Sequence, residues 1–112
     1  MTFKTAYICS PYRGDVERNV AYAKALAARA IKLGYAPIVP HLYLPQILDD
    51  NNDAGRALGL DLALQLLRKS DILIVGTLYG ISTGMEGEMR EAVRLCIPTT
   101  YYKDLEELTL YT

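Results

Sequence analysis

The chain has 112 residues, 51% of them hydrophobic by a broad count and 22% charged, with a formal net charge of -1. That length and balance suit one globular domain over residues 1–112, large enough for a core of its own. There is no basic excess or recurring Lys/Arg cluster, so a nucleic-acid polymer is not expected as partner, and no apolar run approaches the roughly 20 residues that span a bilayer.

Met1-Thr2-Phe3-Lys4-Thr5 runs straight into an apolar stretch and carries no signal-peptide pattern. Cys9 and Cys96 stand apart in apolar surroundings without metal-ligand spacing, which reads as two reduced core thiols. A cytoplasmic protein without metal or cofactor is the expectation. The first strand starts near Phe3 and ends at Tyr7-Ile8-Cys9, and Ser10-Pro11-Tyr12-Arg13-Gly14 is a loop. Asp15 suits the N-cap of a helix that stops near Gly34, with Val16, Val20, Ala23, Ala27 and Ile31 on its apolar face. Ala36-Pro37-Ile38-Val39 is a second strand whose proline marks a strand start or a sheet edge.

Residues 41–53 read as an irregular region. Pro40 and Pro45 break it, and Asp49-Asp50-Asn51-Asn52-Asp53 lacks the glycine and distal glutamate of a calcium loop. A helix follows over residues 54–69, a third strand over 71–75, a helix over 83–95 and a fourth strand over 98–102, with a short helix in the tail from 103 to 112. Strands alternating with helices predict right-handed crossovers and a doubly wound α/β fold, Rossmann-like or flavodoxin-like. Its parallel sheet would have about four strands, with helices on both faces.

Loops after parallel strands are where such sheets place ligands, so Ser82-Thr83-Gly84-Met85-Glu86-Gly87-Glu88 is the most informative stretch. With Thr83 as N-cap, Glu86 becomes the N3 residue of a capping box and is explained by structure. Met85, Met89, Ala92, Val93 and Cys96 define the apolar stripe of this helix. Glu88 lies at the stripe's edge, open to two readings: a solvated side chain or a functional carboxylate. Tyr7 is either a core tyrosine or a phenol aimed at that carboxylate. Arg13 and Gly14 suit a phosphate as well as a plain turn. Asp61 interrupts an apolar run, so it sits on the exposed edge of its helix or reaches toward the strand ends. His41, the sole histidine, follows the second strand and serves structure or ligand. Ser82 caps the helix or binds an anion there. No triad, zinc pattern or Walker loop is present. A carboxylate, a tyrosine and an anion-binding loop suit chemistry at an anomeric carbon.

Tyr7-Ile8-Cys9-Ser10-Pro11-Tyr12-Arg13-Gly14 resembles the first-strand motif of the nucleoside 2-deoxyribosyltransferase superfamily. Ser82-x-Gly84-x-x-x-Glu88, with Ala92 one turn later, resembles its serine-glycine-glutamate motif, and Ser70-Asp71-Ile72-Leu73-Ile74-Val75 its third strand. The branch most resembled occurs in bacteria and their mobile elements and is related to 2′-deoxynucleoside 5′-phosphate N-hydrolases. The resemblance implies Glu88 as the nucleophile at C1′ of a 2′-deoxyribosyl group, oriented by Tyr7. It implies a substrate-binding set of Ser10, Pro11, Arg13, Gly14, Ser82 and Gly84, in which Ser82, Arg13 and Gly14 fit the side of a 5′-phosphate, and His41, placed after the second strand, is added to that set by position. Asp61 is the candidate acid for the departing base. Relatives carry that acid eight residues before the strand-3 aspartate, where Ala63 stands here, and two residues turn a helix by about 200°.

The expected function is cleavage or transfer at the N-glycosidic bond of 2′-deoxynucleosides or their 5′-monophosphates, in a homo-oligomer with small-molecule partners only. The alternatives are a non-catalytic nucleotide- or ribosyl-binding module and an oligomeric scaffold, both in a mobile-element setting.

Overall fold

The computed structural model describes residues 2–49 and 51–102. β1 (Lys4–Cys9), β2 (Tyr35–Ile38), β3 (Ile72–Gly76) and β4 (Thr99–Tyr102) form one parallel sheet in the order β2-β1-β3-β4. The helices are α1 (Val16–Lys32), α2 (Leu44–Ile47), α3 (Asp53–Arg68) and α4 (Thr83–Arg94). Strand order turns in opposite directions on either side of β1 and β3, so the crevice at their carboxyl ends is the switch point where open α/β sheets bind ligands. Pro37 lies on β2, at the edge of the sheet, where its missing N–H interrupts no ladder on the outer side. The expected short helix after residue 102 falls outside the described residues.

Period-2 alternation sorts the strands into two cores. Ala6, Ile8 and Ile74 face α1 through Tyr22, Ala23, Leu26, Ala27 and Ala30. Tyr7, Cys9, Leu73 and Val75 face the opposite way, against Ala63 and Leu67 of α3 and Met85 and Ala92 of α4. One face therefore carries α1 and the other carries α3 and α4.

The buried face of α1 differs from the expected one. Asn19, Tyr22, Ala23, Leu26, Ala27 and Ala30 are buried, whereas Val16 is exposed and Ile31 is 62% exposed. The helix is rotated by roughly 70° about its axis from the β-branched row. Its alanines let the backbone approach the sheet, with Tyr22 and Leu26 filling the gaps. Asp15 caps α1 as expected, accepting from Arg18 N–H at 3.1 Å.

The region expected to be irregular is ordered in its first part: Pro40–Leu42 is a 3-10 turn and α2 follows at once. Both prolines stand in the first turn of their segment, where no N–H is required.

The fourth helix is capped one residue earlier than expected, by Ser82, whose Oγ accepts from Met85 N–H at 3.3 Å. Glu86 is therefore not at N3. It is exposed and stands 4.0 Å from Arg90. The buried stripe is Met85, Glu88 and Ala92, with Val93 77% exposed. Cys96 is likewise no core thiol. It is exposed beyond the helix at φ 57°, where Ile97 N–H bonds Ala92 O at 2.9 Å and Cys96 N–H bonds Val93 O at 3.1 Å, closing a Schellman turn.

Candidate functional site

Two loops at the carboxyl ends of β1 and β3 shape the crevice. The β1 loop is pinned from beneath by buried Asn19, whose Nδ2 donates to Tyr12 O at 3.0 Å and Arg13 O at 3.1 Å. Gly14 turns the chain into α1 at φ 95°. The β3 loop is held by Tyr22, whose hydroxyl donates to Tyr102 O at 3.2 Å and accepts from Leu78 N–H at 3.1 Å. Arg18 caps this corner with its guanidinium 3.9 Å from the Tyr79 ring centre. Both loops thus hang on side chains of α1.

Tyr7 and Cys9 leave β1 two residues apart and so point to the same face, beneath α4. Met85, Glu88 and Ala92 share the inward face of that helix at i, i+3 and i+7. The two patterns meet at Glu88, which is 5% exposed. Tyr7 OH donates to Glu88 Oε2. The Cys9 thiol lies 3.7 Å from Oε1 and 3.9 Å from Met85 O. Burial pushes the Glu88 carboxyl up to about 7, and the hydrogen bonds from Tyr7 and Cys9 pull against that shift. Burial, joined by the negative charge of Glu88, drives the Tyr7 phenol and the Cys9 thiol far above their ordinary ranges, so both remain protonated donors.

Glu88 opens onto a cavity of about 590 Å3. Ser82, Gly84 and Gly87 line it beside Glu88, His41 and Arg13 line it from the loops, and Leu44, Pro45, Leu48 and Leu60 give it an apolar wall. A second cavity of about 360 Å3 adjoins it, sharing Tyr12, Arg13, Pro45 and Leu48 and adding Gly14, Asp49 and Asn51. His41 is held against Tyr12 with ring centres 5.5 Å apart.

Residues 4–102 match the family model described as a domain of unknown function, DUF7768. The chain belongs to the DUF7768 family. A comparison with curated proteins finds no match. Among solved structures, this DUF7768 chain is similar to the 2-deoxyribosyltransferase from the psychrotolerant bacterium Bacillus psychrosaccharolyticus. The TM-score is 0.73 at 14% identity, over 96% of this chain and 92% of the other. At that identity the likeness is one of fold. Among the described residues, no helix is long and apolar enough to cross a membrane, and no cluster of three His, Cys, Asp or Glu side chains is arranged to hold a metal.

In the DUF7768 structure the residues singled out from sequence sort by position. Glu88, Arg13, His41, Ser82 and Gly84 line the main cavity, and Gly14 lines the adjoining one. Tyr7 is buried behind Glu88. Ser10 and Pro11 are buried beneath the loop and line neither cavity, and Ser10 Oγ has no hydrogen-bond partner among the described residues. Asp61 is exposed and outside the cavity wall, while Ala63, two residues on, is buried and lines it. The physical reason is helical phase, since a two-residue step crosses to another side of α3.

Sequence reasoning passed over Asn19, Arg56 and Arg90, and it read Cys9 as a core thiol, which its burial bears out, without its place beside Glu88. Asn19 lay outside the face expected to be buried, and only the observed rotation of α1 turns it inward. Arg56 and Arg90 line the cavity only because α3 and α4 converge there, and no local pattern announces that.

Proposed function

We propose that this protein breaks or transfers the N-glycosidic bond of 2′-deoxynucleosides or their 5′-monophosphates, with Glu88 as nucleophile. The observation that carries the reading is a buried carboxylate held by a tyrosine at the floor of a large cavity, at the switch point of the sheet. Glu88 Oε attacks C1′, the C1′–N bond breaks toward the base, and a glycosyl ester forms. Water or a second base then attacks C1′ and frees the carboxylate. Tyr7 and Cys9 fix the carboxylate plane without giving up their own protons. Arg13, with Ser82 and Gly84 at the N-terminus of α4, suits the phosphate side, and the apolar wall suits the base. Asp61 has no part in this reading.

The test is to mix the protein with the four 2′-deoxynucleosides and their 5′-monophosphates, with an unrelated acceptor base in half of the samples, and to follow free base by chromatography. Release or exchange is expected, rising with pH through about 7 as Glu88 ionises. Glu88→Gln should lower it by about a thousandfold or more. Ala63, where the resemblance places an acid, favours a second reading in which the site binds a nucleotide without turning it over. Binding without any release, in wild type and Glu88→Gln alike, decides for that reading.

A further inference from the structure

The apolar wall of the main cavity carries one charged group, Arg56 of α3. Arg56 and Ala63 stand seven residues apart on α3, with Gly59 and Leu60 between them, and all four line the cavity. Ala63 offers nothing to a departing base. Arg56 Nε is buried and has no hydrogen-bond partner among the described residues. Among the described residues its Nη2 pairs with Asp53, at 3.4 Å, and the Asp53 side chain is fully exposed, so that pair holds it weakly. Glu88 is the only carboxylate among the described residues that line this cavity, and the other charged groups there are the guanidiniums of Arg13, Arg56 and Arg90. Apart from the imidazole of His41, which the loop after β2 brings to this cavity, such a wall offers no acid to a leaving group, and its three guanidiniums equip it to receive a negative one.

Resting on the glycosyl-transfer reading above, we propose that the base leaves as an anion received by Arg56, and that the substrates are glycosides of pyrimidine-2,4-diones. When Glu88 attacks C1′, the electron pair of the C1′–N bond passes to the ring nitrogen. The charge spreads to the carbonyl oxygen beside it, where the guanidinium donates. The base takes its proton afterwards from solvent, and the water that attacks the glycosyl ester returns one proton to solvent, so the overall reaction is a balanced hydrolysis. A dione suits this exit because its anion is delocalised over carbonyl oxygens that accept from a planar fork.

The test compares the 2′-deoxyribosides of thymine, uracil and 5-fluorouracil and their 5′-monophosphates, which differ in the acidity of the departing base. The 5′-monophosphates of deoxycytidine and deoxyadenosine serve as non-dione partners. Base release should rise by about tenfold or more from thymine to 5-fluorouracil. Arg56→Gln should slow thymine release on the order of a hundredfold, slow 5-fluorouracil release less, and leave the thermal melt unchanged, with Arg56→Lys in between. Glu88-dependent release that is flat across the series, that falls equally for all bases in Arg56→Gln, or that is as fast for cytosine and adenine would overturn the assignment to Arg56 while leaving the glycosyl-transfer reading in place. No release from any compound, in wild type as in Glu88→Gln, would sink both.

Discussion

Among the described residues that line the main cavity, Glu88 carries the one carboxylate. On a helix wheel it sits at the margin of an apolar stripe, yet in the fold it is buried beneath α4, facing the Tyr7 phenol and the Cys9 thiol from one strand. Two donors and a helix surround a group that burial alone would keep neutral, and the compromise is a carboxyl near pH 7. As the proposed nucleophile Glu88 must be ionised, so any change in that balance would appear in the pH dependence of the proposed reaction. Removing the Tyr7 hydroxyl removes a bond that lowers the Glu88 value. Tyr7→Phe should therefore raise it further, moving the half-maximal pH of kcat/KM upward by about one unit and cutting activity at pH 7 several-fold. A lower kcat/KM with an unmoved pH profile would mean that Tyr7 positions the substrate and does not tune the carboxylate.

At the scale of elements, the site depends on how closely α1 lies on the sheet. Gly76 ends β3 directly beneath Tyr22 and Leu26. A Cβ there would stand 2.5 Å from Leu26 Cδ1 and 2.7 Å from the Tyr22 ring. Tyr22 is also the post that holds the β3 loop through Leu78 and Tyr102. Gly76→Ala should cost about 1–3 kcal/mol in urea denaturation through overpacking. Because the displaced side chain is that post, ligand affinity should fall with it. A variant as stable as wild type would show that α1 can shift without cost, and the loop would then need another anchor. On the opposite face, Arg68 of α3 donates to Glu91 of α4 at 2.8 Å and ties together the two helices that bring Arg56 and Glu88 to one cavity, while Arg94 of α4 holds the same carboxylate at 2.6 Å.

For the whole molecule, a buried carboxyl with a raised pKa makes stability depend on pH in an uncommon direction. The unfolded chain loses the Glu88 proton near 4.5, whereas the folded chain keeps it until about 7. Between those values the folded state binds more protons than the unfolded one, so rising pH removes stability. The span corresponds to about 3 kcal/mol as an upper figure. Chemical denaturation at pH 5 and pH 8 should show wild type losing stability relative to Glu88→Gln, whose side chain does not titrate. Parallel curves for the two proteins would mean that water reaches the carboxylate and that the burial is incomplete.

The order of elements, the parallel sheet, the edge position of Pro37 and the Asp15 cap were legible because each rests on local chemistry: strand runs, helical spacing, a fixed φ, a side chain within reach of its own helix. So was the gathering of the loops after β1 and β3, since parallel topology places both at one end of the sheet. The buried face of α1 was not legible, because alanine is weakly apolar by pattern yet decisive where a helix must approach closely. The separation of Ala63 from Asp61 followed from helical phase, but which of them faces the cavity was decided by the packing of α3. The pairing of Tyr7 with Glu88 was one of two readings the sequence left open, whereas the depth of Glu88, the Cys9 thiol beside it and the placing of Arg56 against an apolar wall belong to the tertiary structure alone. They join residues as far apart as Cys9 and Glu88, and the burial that sets a carboxyl near pH 7 does not exist until strand, helix and loop close around it.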